Sequence, residues 1–148
     1  MTPAKPANPL LFSVQVKFLL ALLLTACSPT TDYKIAVENR SNQTIETFLI
    51  QAAGEPLSLG SIRPGEKRVE TMTLTHGGSL SYQFKIGETC HTGQLEEQAV
   101  PGQPGDKTII VEQGGEVRII DEIHHTEVTK PAQKPATGEW ALPCMIPG

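Results

Sequence analysis

One run of alternating residues constrains the fold of this chain more than any other feature. Apolar and polar side chains alternate over eight positions, with Leu80, Tyr82, Phe84 and Ile86 set against Ser79, Ser81, Gln83 and Lys85. Because successive side chains of a β-strand point to opposite faces, this run predicts an antiparallel strand with one buried face. A buried face needs a second layer to cover it, so we expect Phe84 to lie between two sheets.

Shorter runs of the same kind recur along the chain. Apolar or alternating residues predict strands near 33–38, 44–51, 67–75, 89–95, 107–112 and 116–121. In the second of these, we expect one side to carry Ile45, Thr47 and Leu49 and the other side Phe48 and Ile50. Residues 57–59 form at most a short strand. The segment Arg63–Glu66 suits a type II turn, while 87–88 and 113–115 suit hairpin turns.

These patterns predict an all-β fold. About seven short strands with frequent turns and no amphipathic helix indicate a small antiparallel immunoglobulin-like sandwich or open barrel. A chain of 148 residues, with 13 glycines and 12 prolines, is long enough for one such domain. We assign residues 33–123 to the β-sandwich domain and residues 124–148, which lack periodicity, to a proline-rich C-terminal tail.

The first 26 residues have the features of an export signal. An apolar run, residues 18–24, follows Lys17 and ends at the small residues Thr25 and Ala26. A helix that spans a bilayer needs roughly 20 apolar residues, so this run predicts a secretory signal peptide. The short polar segment 27–32 then reads as a tether between the signal and the domain.

The end of this signal, Leu24-Thr25-Ala26-Cys27, resembles the lipobox of bacterial lipoproteins. The resemblance implies cleavage before Cys27, a diacylglyceryl group on its sulfur and an acyl chain such as palmitate on its amine, and hence a membrane anchor. Ser28 is not the aspartate that retains such proteins in the inner membrane, so in a Gram-negative cell we expect the periplasmic face of the outer membrane. The alternative is an ordinary signal peptide cut after Ala26, which leaves a free thiol.

The mature domain carries a second, broader resemblance. Segments 37–41, 59–66 and 115–119 resemble small uncharacterised β-sandwich lipoproteins of proteobacteria. The likeness extends over roughly two thirds of the chain, and it implies the fold without any known activity.

The charge balance argues against two classes of partner. Of the 12 Lys and Arg, Lys5 and Lys17 precede Cys27, which leaves ten against all 16 Asp and Glu in the mature part. This acidic chain has no basic cluster larger than Lys67-Arg68. We therefore expect neither nucleic-acid binding nor a polybasic contact with anionic lipid.

Two cysteines remain once Cys27 is lipidated. Cys90 and Cys144 would reach an oxidising compartment together, where an even pair of cysteines usually forms a disulfide. Such a bond would attach the proline-rich tail to the strand that carries Cys90. The alternative is that Cys144 lies on a disordered tail and bonds to nothing or to another molecule.

Four histidines raise the question of a metal site. Cys90-His91 and His124-His125 are neighbours in sequence, and neighbours on a strand point to opposite faces. Exposed histidines near strand ends are the simpler interpretation, so we expect no metal and no other cofactor. A copper or zinc site of His91, His124 and Cys144 would require the tail to fold back.

No motif of known catalytic chemistry is present. Gly77-Gly78-Ser79 is not a nucleophile elbow, and the adjacent carboxylates Glu96-Glu97 and Asp121-Glu122 lie in hydrophilic segments. We therefore expect a non-catalytic, lipid-anchored cell-envelope protein that serves as a structural or interaction module, with another envelope protein as its partner. A periplasmic module that binds a small ligand or metal is the alternative, and a minor hydrolase is a second one.

Overall fold

The computed structural model describes residues 2–4, 32–52, 55–134 and 144. These residues form nine β-strands and one short 3-10 turn, Gln113–Gly115. The strands are β1 Asp32–Asn39, β2 Ile45–Ala52, β3 Glu55–Ile62, β4 Lys67–Thr73, β5 Gly78–Ile86, β6 Thr89–Ala99, β7 Gly105–Val111, β8 Val117–Asp121 and β9 Thr126–Lys130. In the described part of the chain, no helix has the length and apolar character that a membrane span requires.

The strands form two sheets, which confirms the all-β sandwich. Sheet A has the order β4-β1-β7-β8-β9, and sheet B has the order β3-β2-β5-β6. All neighbouring strands run antiparallel except β1 and β7, which are parallel. The described strands therefore outnumber the expected seven, and one pair departs from the expected antiparallel arrangement.

The core lies between the two sheets, where the alternating residues of each strand meet. Phe84 is fully buried, as its alternation with polar residues predicts, and Leu80, Tyr82 and Ile86 are buried on the same face of β5. The ring of Phe84 stacks on Phe48 of β2, with centroids 5.4 Å apart. This contact places the aromatic residues of sheet B at the centre of the core.

The expected division of β2 into two faces is wrong at its first residue. Ile45 is buried together with Phe48 and Ile50, although it is separated from Phe48 by three positions. The reason is an irregularity in the pairing of β2 with β5 between Ile45 and Thr47. A β-bulge adds a residue to one strand and so moves the side chains beyond it to the opposite face.

The boundary of the predicted tail is also corrected. Residues 126–130, which we placed in the tail, form β9 and pair with β8 in sheet A. Beyond β9 the chain crosses to sheet B, where the N–H of Thr92 donates to the carbonyl oxygen of Gln133 at 3.0 Å. The domain therefore extends past residue 123. The sequence did not predict β9 because this strand is mostly exposed and so lacks an alternating apolar pattern.

The turns have the predicted positions. The Arg63–Glu66 segment closes with a hydrogen bond from the Glu66 N–H to the Arg63 carbonyl at 3.0 Å. Gly65 has φ +76°, as the second central residue of a type II turn requires. The two predicted hairpins, β5–β6 and β7–β8, are also present.

The turns and loops divide between the two ends of the sandwich. We call the end at which β1 begins the proximal end, which also carries the loop 100–104 and the turn 122–125. We call the opposite end the distal end. It carries the turns 40–44, 63–66, 87–88 and 112–116, which together we call the distal turn surface.

Candidate functional site

The proximal end holds a buried ion pair between the two strands of the β7–β8 hairpin. Lys107 and Asp121 are direct neighbours in the pairing of these strands. The Lys107 ammonium group donates to the Asp121 carboxylate, and the two side chains are 11% and 13% exposed. The Lys107 Nζ also lies 4.0 Å from an Oε atom of Glu96 on β6. A lysine is therefore held at the edge of the core by carboxylates from both sheets.

Asp121 also fixes the turn that follows it. Its Oδ1 atom accepts hydrogen bonds from the backbone N–H groups of Ile123 at 3.0 Å and His124 at 2.9 Å. Burial alone would raise the pKa of Asp121, but hydrogen bonds from Lys107 and from the backbone and side chain of His124 outweigh burial and hold that pKa well below its usual range. Asp121 is therefore an ionised carboxylate that joins the core pair to the turn 122–125.

A tyrosine completes the polar group at this end. The Tyr33 hydroxyl donates to the Glu96 carboxylate across the two sheets. Its ring packs against Gly105 so closely that a Cβ atom at that position would overlap it. Burial, followed by the hydrogen bond to Glu96 and its charge, raises the pKa of Tyr33 far above its ordinary value. Tyr33 therefore remains a neutral hydrogen-bond donor. We call Tyr33, Glu96, Lys107, Asp121 and His124 the proximal cluster.

A small cavity of about 60 Å³ lies beside the proximal cluster. Its described lining contains no serine, threonine or cysteine, the residue types that act as nucleophiles in acyl transfer. The polar groups of the cluster are engaged with one another: Lys107 with Asp121, Tyr33 with Glu96, and His124 Nδ1 with Asp121 at 2.8 Å. This arrangement braces the loops around the cavity and holds β6, β7 and β8 in fixed relation.

The distal end is organised by one buried amide. Asn39 is fully buried at the end of β1. Its Nδ2 atom donates to the carbonyl oxygens of Gln43 at 2.8 Å and Ile62 at 2.9 Å. Its Oδ1 atom accepts from the N–H and hydroxyl of Ser41. The Asn39 side chain thus joins the turn 40–44 to the end of β3.

A second set of hydrogen bonds joins the turn 40–44 to the turn 112–116. The Asn42 N–H donates to Gln113 Oε1 at 3.1 Å, and Gln113 Nε2 donates back to Asn42 Oδ1 at 2.8 Å. The Gly65 N–H also donates to the Asn39 carbonyl at 2.7 Å. Three of the distal turns are therefore fixed to one another by hydrogen bonds, which makes the distal turn surface a preorganised one.

The predicted site residues have different outcomes. Cys27 and the rest of the predicted signal, 1–26, lie outside the described residues, apart from residues 2–4. The predicted disulfide is confirmed, since Cys90 and Cys144 are bonded with their Cα atoms 5.8 Å apart. Cys144 is buried, so this residue of the predicted tail packs within the folded domain. Of the tail beyond residue 134, only Cys144 is described.

The two histidines considered as metal ligands lie in different environments. His91 is buried in the core and stacks on Phe84, with centroids 4.9 Å apart, so its expected exposure is wrong. Burial, with a smaller contribution from the charge of Lys134, lowers its pKa. The exposed position expected for His124 is confirmed, because its side chain is 73% exposed.

The metal hypothesis fits these positions poorly. Bonding to Cys90 removes the thiolate that Cys144 would have offered to an ion. Among the residues that the structure describes, no group of three or more His, Cys, Asp or Glu side chains is placed to hold a metal. His91 instead fills space against Gly115, where a Cβ atom would overlap the imidazole ring.

Sequence reasoning placed Glu96 and Asp121 in hydrophilic segments and missed Tyr33 and Lys107, although one sequence pattern contained the Lys107–Asp121 pair. In the β7–β8 hairpin, Ile109 pairs with Ile119 and Val111 with Val117. The same pairing places Lys107 opposite Asp121 on the core-facing side. Opposite charges at paired inward positions predict a buried ion pair, so the pair could have been found. The partnership of Tyr33 with Glu96 joins distant strands, and no local pattern indicates it.

Comparisons with known proteins leave the family open. No protein-family model matches the sequence, and no curated protein matches it. Among solved structures, the chain is similar to a protein from Eubacterium rectale with an NMR structure, at a TM-score of 0.43 and 10% sequence identity. The match covers 64% of this chain and 90% of that one. The fold assignment therefore rests on the strand pairing described above.

Proposed function

We propose that the protein is a non-catalytic, lipid-anchored cell-envelope protein whose distal turn surface binds another envelope protein. The observation that carries the proposal is that the proximal end, where β1 begins, and the distal turn surface lie at opposite ends of the sandwich. β1 begins at Asp32, five residues after Cys27, and it ends seven residues later at Asn39, whose amide organises the distal turns. An eight-residue strand is about 27 Å long, so an anchor on Cys27 would present the distal turns away from the membrane.

Two properties of the distal turn surface support a role in binding. Its turns are joined by side-chain hydrogen bonds through Asn39 and Asn42, so a partner would pay little conformational entropy to order them. It also exposes charges of both signs, including Arg63 and Glu116. Charged residues of this kind are found at the polar rim of interfaces between proteins that also exist separately.

The non-catalytic part of the proposal is supported by the proximal cluster. A general acid or base must be free to donate a proton to a substrate or accept one from it. Here the carboxylates of Glu96 and Asp121 are occupied by Tyr33 and Lys107. Exchange with a substrate would require breaking these pairs, which also hold the strands together.

The anchor is tested by replacing Cys27 with serine in the native host. We expect the variant to lose incorporation of a palmitate analogue and to retain its leader, because the lipoprotein peptidase acts on the lipidated cysteine. The matched control is C90S, which removes a cysteine without touching the lipobox. Label that persists in C27S would contradict the anchor.

The binding surface is tested by photo-crosslinking in intact cells. A photoreactive amino acid at Arg63 or Glu116 should trap one defined partner. The same probe at Thr71 on β4 or Thr129 on β9, both exposed on sheet A, serves as the control. An adduct formed from the control positions but not from the distal ones would place the interface on sheet A and contradict the proposal.

A further inference from the structure

The proximal end exposes two large apolar side chains beside each other. In the described part of the chain, the large apolar residues with high exposure are Val69, Val100, Ile123 and Val128. Val100 and Ile123 are each 43% exposed, and they line the mouth of the same cavity. The neighbouring Pro101 and Pro104 are exposed as well. This end of the sandwich therefore has a small apolar surface, whereas Val69 and Val128 lie singly on separate edge strands.

Both apolar residues are held outward by fixed backbone. The Gln103 N–H donates to the Val100 carbonyl at 3.1 Å, and Gly102 has φ +84°, which together form a type II turn after Val100. Ile123 is fixed through its own N–H, which donates to Asp121 Oδ1. The two side chains are thus presented by rigid turns beside a cavity that they do not fill.

The sequence places the predicted lipid close to this end. β1 begins at Asp32, which is the fifth residue after Cys27. Five fully extended residues span at most about 18 Å. A lipid on Cys27 would therefore keep the proximal end, which carries the apolar surface, within that distance of the bilayer.

The charges at this end indicate which lipid surface fits. The carboxylates of Asp32 and Glu122 are exposed there, and the two nearby lysines are engaged with Asp106 and Asp121. An acidic surface is repelled by anionic headgroups, whose attraction needs free Lys or Arg. Contact through apolar side chains with a zwitterionic phospholipid surface has no such cost.

We propose that the proximal end rests on a zwitterionic phospholipid surface, with Val100 and Ile123 inserted among the headgroups. This inference depends on the lipid anchor of the proposed function. The proximal cluster then acts as the brace of a membrane-facing surface, because Asp121 fixes the turn that carries Ile123. Insertion sets the orientation of the domain and so directs the distal turn surface away from the bilayer.

The test uses the mature, lipidated protein in phosphatidylcholine nanodiscs that contain a nitroxide-labelled lipid. Methyl NMR signals of Val100 and Ile123 should lose most of their intensity relative to discs with unlabelled lipid. Val69 and Val128 are matched controls, since they are 49% and 51% exposed but lie on edge strands, and their signals should persist. Discs with added anionic lipid should show weaker loss at Val100 and Ile123.

Two failures are distinguishable. Equal loss at all four residues, or no loss at Val100 and Ile123 while the protein carries its acyl chains and elutes with the discs, would overturn this inference alone. Mature protein without acyl mass on Cys27, as measured by intact mass spectrometry, would overturn the proposed function and this inference with it.

Discussion

Replacing Lys107 with methionine removes the cation of the buried pair and keeps a side chain of similar length. Removal of one partner from a buried ion pair typically costs about 3–5 kcal/mol, because the remaining charge stays buried without compensation. Asp121 would still accept the N–H groups of Ile123 and His124. We therefore expect K107M to lower the free energy of unfolding by about 3 kcal/mol, the lower end of that range.

Urea denaturation of the mature protein, with its disulfide intact, measures this loss. The design is a double-mutant cycle of K107M, D121N and the double variant. We expect the double variant to lose less stability than the sum of the single losses, with a coupling of about 1–3 kcal/mol. K34M is the matched control, because Lys34 pairs with Asp106 at 3.1 Å in an exposed position and such pairs contribute about 0–1 kcal/mol.

Two results would refute this reasoning. Single losses that add without coupling would show that residues 107 and 121 do not interact in the native domain. A loss in K107M no larger than that in K34M would show that water screens the pair, and therefore that the strands are not packed as described at the proximal end.

Three further predictions concern the core and its closure. F84A should lower the free energy of unfolding by about 3–5 kcal/mol and the melting temperature by more than about 10 °C, since the ring is fully buried; a shift of about one or two degrees would place it outside the core. His91 and Asp121 have lower pKa values in the folded protein than in the unfolded chain, so the unfolded chain takes up their protons first as pH drops. The free energy of unfolding should therefore fall with pH, first below about 6.5 through His91 and then below about 4 through Asp121. Urea midpoints measured against pH should lose the first step in H91F and show a smaller second step in D121N, because the pKa values of Glu38 and Glu66 are also lowered. Peptide mapping of the protein purified without reductant should recover Cys90 linked to Cys144, and two alkylatable thiols would contradict this.

The parts of the fold that the sequence predicted are those in which local pattern and burial agree. The strand that carries Phe84 alternates without a break, and the structure has all four of its apolar residues in the core. The turns predicted from glycine and proline, such as Arg63–Glu66, follow from the backbone preferences of these two residue types, as the positive φ of Gly65 shows. Neither prediction needs knowledge of which strands are neighbours.

The rest depended on contacts between distant segments. β9 is exposed along nearly all its length, so its residues show little apolar alternation, and pairing with β8 alone makes it a strand. Asn39 reads as a turn residue in sequence, because only the nearby Gln43 carbonyl is a local partner of its amide, whereas the Ile62 carbonyl is brought to it by the return of the chain. His91 is buried by packing on Phe84 and Gly115, which local alternation does not indicate.

The Lys107–Asp121 pair links the pairing of the core strands to the surface at the proximal end. A shift of β8 by two residues would bury Lys107 opposite Ile119, so the pair favours the observed register, although buried pairs add little net stability. Replacing both residues with apolar ones, as in K107M/D121L, should therefore cost far less stability than K107M alone. It should still release the turn, because the Ile123 and His124 N–H groups lose their acceptor. Hydrogen exchange should show faster exchange at these two amides and unchanged exchange in β5. Unchanged protection at Ile123 and His124 would mean that the turn is held by other contacts and that the pair does not brace the proximal surface.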